Sequence, residues 1–254
     1  MMVKREEIYS FLNDFFSSRT RQDVSNNGMQ VEGNEYVSKI VFAVDACQRV
    51  FDIAAERGAD MLIVHHGISW GGGLKRITDY HQRRLKTLLK ANISLLAYHL
   101  PLDAHGEIGN NAILADMLAL TDRQYFFMYD GEPIGFYGNL PKACAADTLA
   151  QTLKIKLNSE CKVLPGKNGD LVRSLGIVSG SGADAFEECA ELGLDALLTG
   201  EVGHKHVHPA WETGVTIIAA GHYASETTGI KALQEKTQKQ FKVECEFIDC
   251  PTGY

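Results

Sequence analysis

The chain has 254 residues, 45% of them hydrophobic and 22% charged, an ordinary globular composition that excludes a disordered, collagenous or coiled-coil protein. The length suits two modest α/β domains or one large one, and no apolar run reaches the ~18 residues that a membrane span needs. Thirty-two acidic side chains against 25 basic ones leave a net charge of -7 with no Lys/Arg cluster, which argues against nucleic acid or an anionic membrane as the main partner.

An amphipathic helix is predicted over about 4–18; its charged and apolar residues are interleaved and no apolar h-region precedes it, so no secretory signal is expected. The six cysteines contain no C-x-x-C pair, and reduced thiols in a cytoplasmic protein are the expectation. After the polar stretch DVSNNGMQVEG, strands alternate with helices: strand 39–46, helix 47–58, strand 61–66, helix 79–91, strand 93–99, helix 108–119. The stretch 120–142, with Asp130-Gly131, Pro133, Gly135, Gly138 and Pro141, breaks the pattern and is the expected boundary. The alternation then resumes with helix 143–156, strand 174–180, helix 183–193, strand 195–200, helix 203–213, strand 215–222, helix 225–239 and strand 241–249. Such alternation predicts an α/β protein whose mixed, largely parallel sheets are covered on both faces, with functional groups gathered beyond the carboxyl ends of the strands. The expected division is one domain of residues 1–125 plus 216–254, carrying most site residues, and a second of 126–215.

Two segments look alike. AERGADMLIVHHG (55–67) aligns without gaps on AELGLDALLTGEV (190–202), so that Gly58-Ala59-Asp60 matches Gly193-Leu194-Asp195 and His66 matches Glu201. NISLLAYH (92–99) matches GVTIIAAGH (214–222) if one residue is gapped, which would pair His99 with His222 and Asp103 with Glu226. An old internal duplication would explain both; the similarity that any two βαβ units share would explain them as well.

Eight of the nine histidines fall in three groups, 65 and 66, 99 and 105, and 204, 206, 208 and 222; only His81 stands apart. His65 and His66 end an apolar strand. Neighbours on a strand face opposite ways, and only a turn, such as Gly67 and Gly71 to Gly73 permit, lets them converge. Two later loops, His99 to Asp103 and His222 to Glu226, each put an imidazole and a carboxylate at a strand's carboxyl end. His65, His66, Asp103, His222 and Glu226 form a mixed N/O donor set suited to Zn, Mn, Fe, Co or Ni. Three donors are usual for one catalytic zinc; five, one bridging, suit two ions about 3.5 to 4 Å apart. Two divalent ions and two carboxylates leave a local charge of about +2, which favours anionic ligands. A metal-bound water, acidified to hydroxide, makes hydrolysis the natural reaction class. Glu201 is read as a general acid/base, with His99 as its alternate in moving protons. His204, His206 and His208 are read as lying on an exposed face.

These residues resemble the Nif-three-like family, also known as GTP cyclohydrolase I type 2 homologs, almost from end to end. The likeness rests on N-G-x-Q-V-x-G (Asn27, Gly28, Gln30, Val31, Gly33), the histidine pair, the H-x3-D of His99 and Asp103, Thr199-Gly200-Glu201, and the G-H-x3-E of His222 and Glu226. The chain resembles the family's short form, with Gly67 where Pro is common. The resemblance implies that the five donors above are the ligands of a dinuclear centre at the interface of two α/β domains, in a ring-shaped homohexamer. It implies a hydrolase acting on a nucleotide or related phosphorylated small molecule. The alternative is a metal-binding oligomeric scaffold or regulator that binds a metabolite or protein partner without catalysis.

Overall fold

A computed structural model describes residues 2–16, 23–72, 76–166 and 171–254. The fold is mixed α/β, and its contacts divide it into two compact units, Met1–Leu102 with Ile230–Cys250, and Asp103–Gly229 with Pro251–Tyr254. The expected division differs from this one: residues 103–125 and 216–229, expected in the first domain, group with the second unit. Among the described residues no helix is long and apolar enough to cross a membrane.

The first unit is built on a five-stranded sheet in the order Glu244–Phe247, Lys39–Asp45, Met61–His66, Ser94–Ala97, Gly28–Val31. The first four strands run parallel and the last is antiparallel. Met61, Leu62, Ile63 and Val64 are all fully buried, as a parallel strand covered on both faces requires. Helix Gln48–Glu56 places Val50, Phe51 and Ala54 against Val41, Leu62 and Leu95 in one core. Three of the parallel strands end at or within two residues of a histidine or aspartate: Asp45, His65 and His66, and His99.

The second unit carries six strands in the order Thr121–Tyr129, Glu132–Ala145, Leu171–Val178, Ala196–Thr199, Thr216–Ala219, Lys162–Leu164. The three consecutive strands Leu171–Val178, Ala196–Thr199 and Thr216–Ala219 are parallel, and their neighbours are antiparallel. The stretch 120–142, expected as a break and boundary, instead forms most of a long β-hairpin. Its turn is Asp130-Gly131, with φ of 48° and 88°, the two left-handed residues of a tight hairpin turn. Leu175, Ile177, Leu198 and Ile218 pack with Leu149 and Leu153 of helix Ala146–Leu157.

The two units repeat one local device. In the first, Gly58 (φ 67°) ends the helix, the Ala59 N–H bonds back to Ala54 O, and the Asp60 carboxylate accepts hydrogen bonds from Ser38 N, Ser38 Oγ and Lys39 N. In the second, Gly193 (φ 67°) ends the helix, the Leu194 N–H bonds to Cys189 O, and Asp195 accepts from Arg173 N, Ser174 N and Ser174 Oγ. The pairings Ile40 with Met61 and Leu175 with Ala196 keep the same register, so the ungapped match of His66 to Glu201 holds. The gapped match does not. Ser94 lies opposite Met61 and Thr216 opposite Ala196, which aligns the next strands without a gap and sets His99 against Gly221 instead of His222.

Candidate metal centre

Three imidazoles gather at the carboxyl ends of the first unit's parallel strands. His65 is fully buried and His66 half-buried, and their ring centroids are 4.5 Å apart although they are chain neighbours. Convergence is possible because His66 is the last residue of its strand and Gly67 follows outside the sheet. The His99 ring stands 5.1 Å from that of His65 and 5.5 Å from that of His66. One ring nitrogen of each of the three lies within 4.8 Å of the others.

Every one of these rings is anchored through Nδ1. His65 Nδ1 is 3.0 Å from the Tyr98 carbonyl, which can only accept, so this nitrogen carries the proton and Nε2 carries the lone pair. His66 Nδ1 is 2.8 Å from Asp45 Oδ1, and His99 Nδ1 is 3.0 Å from Asp23 Oδ1. An oxygen acceptor behind Nδ1 is the arrangement that fixes the tautomer and orientation of metal-ligating imidazoles. Asp23 itself is almost fully enclosed. Burial opposes its ionisation, but the His99 hydrogen bond and charge, with the Asn27 amide and Ser25 N–H, outweigh it and hold the carboxyl below its ordinary value.

The early N-G-x-Q-V-x-G element explains itself at this site. Asn27 Oδ1 accepts the His99 backbone N–H at 2.8 Å, and Asn27 Nδ2 donates to Asp23 at 2.8 Å. Gln30 Oε1 accepts from both Ile68 N (2.7 Å) and Ser69 N (3.0 Å), while Trp70 Nε1 donates to Gly67 O (2.9 Å), so the loop leaving His66 is clamped on both sides. A Cβ on Gly67 would run into the Gln30 amide, which ties this glycine to the clamp.

The second unit holds a carboxylate-rich cluster. Asp103 is buried, and its Oδ1 accepts from Asn110 Nδ2 (2.8 Å) and Ser179 Oγ (3.1 Å). Asn110 is in turn fixed by the Gly229 N–H, 2.7 Å from its Oδ1. Glu226 is buried, within 4.8 Å of Asp103 between carboxylate oxygens, and its Oε2 is 3.2 Å from His222 Nε2. Glu201 Oε1 accepts from Ser181 Oγ at 2.6 Å and lies 3.4 Å from His222 Nδ1. Burial works against the charged form of His222, but Glu226 and then Glu201 more than offset it and push the ring up to about 9. Room for these groups is made by Gly180, whose φ is 61° and where a Cβ would collide with Glu226 Oε1.

The expected site residues therefore fall into two sets: His65, His66 and His99 in the first unit, and Asp103, His222, Glu226 and Glu201 in the second. His99, read as a neighbour that moves protons, has a ring nitrogen as close to His65 and His66 as a shared ion would need. His206 departs from its reading as an exposed residue: it is buried, with Nε2 2.9 Å from Asp184 Oδ1 and Nδ1 accepting the Gly203 N–H at 2.9 Å. It is a structural histidine that closes the turn Gly203 to His206. His105 is local as well, its Nδ1 receiving the Glu107 and Ile108 amides. The orienting groups Asp23, Asp45, Ser179 and Ser181 were not singled out from the sequence; the placement of Asp23 four residues before Asn27 was the one available signal.

A family model, Duf34/NIF3 (NGG1p interacting factor 3), matches residues 3–253. A Pyrococcus horikoshii protein named GTP cyclohydrolase 1 type 2 homolog is 44% identical over 251 residues, 99% of this chain and 100% of that protein. A Deinococcus radiodurans protein of the same name is 40% identical over 251 residues, 99% of this chain and 95% of that one. The crystal structure of TTHA1606 from Thermus thermophilus superimposes with a TM-score of 0.90 at 38% identity, covering 99% of this chain and 100% of that one.

Proposed function

Because the chain belongs to the Duf34/NIF3 family, we propose that it is a dinuclear metal-dependent hydrolase, a cytoplasmic homohexamer acting on a nucleotide or related phosphorylated small molecule. His65, His66, Asp103, His222 and Glu226 serve as the ligands of two divalent transition-metal ions. The observation that carries this reading is the set of Nδ1 anchors: Tyr98 O and Asp45 leave His65 and His66 with outward lone pairs on Nε2, as ligation requires. The donor chemistry fits, since imidazoles and buried carboxylates suit zinc, manganese, iron, cobalt or nickel and no thiolate belongs to the set.

When bound, such ions polarise a substrate oxygen and lower the pKa of a coordinated water toward about 7. This chain's own residues do the rest. Asp103 and Glu226 are held in place by Asn110, Ser179 and His222. Glu201 is half-exposed and oriented by Ser181 Oγ, which suits it to take a proton from the attacking water and return it to the leaving group. His99, fixed by Asp23 on one nitrogen, holds its other nitrogen toward the imidazole cluster, where it positions or shuttles a proton.

The test is turnover of GTP, other nucleotides and phosphorylated metabolites by the metal-loaded protein, followed by mass spectrometry. Glu201→Gln should lower turnover by about 10²- to 10⁴-fold at unchanged metal content. Hydrolysis that persists undiminished after both ions are chelated would overturn the metal-dependent mechanism, and no turnover of any of these compounds by the metal-loaded protein would leave the non-catalytic scaffold in its place.

A further inference from the structure

The first unit also contains a cavity of about 500 Å³ that the hydrolytic machinery does not use. It opens beside the clamped loop after His66, between Gly67 to Trp70 and the start of helix Asp79–Lys90. That volume falls within the ~300 to 1,000 Å³ of small-molecule sites.

Its lining is chemically one-sided. Arg76, Arg84 and His81 face it, and among the described residues no carboxylate does, in a chain whose overall charge is -7. His81 is the histidine that stands outside the three groups. The cationic side is organised: the Arg84 guanidinium lies 5.1 Å over the Tyr80 ring, and the His81 ring is 4.0 Å from it. A guanidinium held this way keeps its N–H fork for an anion. The lining is also aromatic. Trp70 is half-buried, its Nε1 is committed to Gly67 O, and its indole meets the His99 ring edge-on at 5.1 Å. The indole thus links the cavity to the imidazole cluster.

We infer that this cavity is a nucleotide-binding subsite, in which Arg76, Arg84 and His81 take the phosphates and Trp70 stacks on the base. The inference rests on the hydrolase reading and narrows its substrate to ligands that combine polyphosphate with a planar ring. Fixed cations bind phosphate oxygens by charge-assisted hydrogen bonds, and an aromatic face accepts any base. The subsite therefore recognises nucleotides as a class and does not select guanine over adenine.

The chain has two tryptophans, so Trp211→Phe leaves Trp70 as the sole tryptophan reporter. In this background the metal-loaded protein should show saturable Trp70 quenching by GTP and by ATP at similar concentrations, with guanosine and inorganic triphosphate each at least tenfold weaker. Arg76→Gln with Arg84→Gln should weaken nucleotide binding at least tenfold and raise KM with little change in kcat, at unchanged metal content and circular dichroism; either single variant should shift the same way to a smaller degree. Nucleotide affinity in the double variant equal to that of the parent, or triphosphate binding as tightly as GTP, would overturn the subsite. The two readings fail separately: turnover with unaltered KM in the double variant sinks the subsite alone, whereas cation-dependent nucleotide binding without any turnover sinks the hydrolase alone.

Discussion

The strands Lys39–Asp45 and Met61–His66 of the first unit and Leu171–Val178 and Ala196–Thr199 of the second share a register and a helix–Gly–x–Asp entry, yet they end in opposite chemistries. Where the first has Asp45 and His66, the second has Gly180 and Glu201. In the first unit a carboxylate stands behind an imidazole and orients it. In the second a glycine takes the place of that carboxylate, and the space goes to Glu226, brought in from the helix His222–Phe241. One scaffold thus supplies nitrogen donors at one place and oxygen donors at another. The difference lies in a few residues at or just past the strand ends, where the chain tolerates change that the packed middle of a strand does not.

Substitutions at equivalent positions probe this contrast. The largest effect is expected at Gly180. Gly180→Ala must place a Cβ against Glu226 at a φ of 61°, and urea denaturation should show a loss of about 2 to 3 kcal/mol. Next is the pair of carboxylates that hold imidazoles. Asp45→Asn should lower metal affinity by about 10- to 100-fold in chelator competition while the fold stays intact, and a wild-type affinity would mean that the His66 anchor serves packing only; Asp23→Asn, behind the proton-moving His99, should lower turnover at unchanged metal content.

The entry device gives a smaller, graded comparison. Asp60 is half-buried and also accepts from Asn34, whereas Asp195 is exposed. Asp60→Ala should therefore cost about 1 to 2 kcal/mol and Asp195→Ala about half that, measured in the same denaturant. A separate test is a pH slope in the metal-free protein. His222 has its folded pKa raised from 6.5 to about 9, so its contribution is fully present below about pH 6.5 and is lost as pH rises through 9. Glu226→Gln should flatten that part of the stability profile.

How much of this was legible follows from the physics of each element. The strand MLIVHH coincides with Met61–His66 because a doubly covered parallel strand is a continuous apolar run, and turn signals bound it on both sides. The hairpin from Thr121 to Ala145 was hidden by Pro133, Pro141 and its glycines, which read as breaks; Gly135 and Gly138 instead allow close approach of Phe126 and the Thr121 carbonyl. The short edge strands Gly28–Val31 and Lys162–Leu164 carry too few residues to show a period. His65, His66, Asp103, His222 and Glu226 could be collected from sequence because each sits at or soon after the end of a strand. Their supports could not, because Asp45, Ser179 and Asn110 are common residue types whose partners lie elsewhere in the chain. The gapped match of His99 to His222 failed for a similar reason: register is set by strand pairing, and the similarity of two histidine-bearing loops does not reveal it.

The proposed function requires imidazole and carboxylate donors to bind metal together. Elemental analysis of the purified chain beside His65→Ala and Asp103→Ala tests it most directly. About two transition-metal ions per folded chain are expected, and the loss of at least one from each variant, although one change removes a nitrogen donor and the other an oxygen donor. A folded, active chain without metal, or variants that keep the full complement, would contradict it.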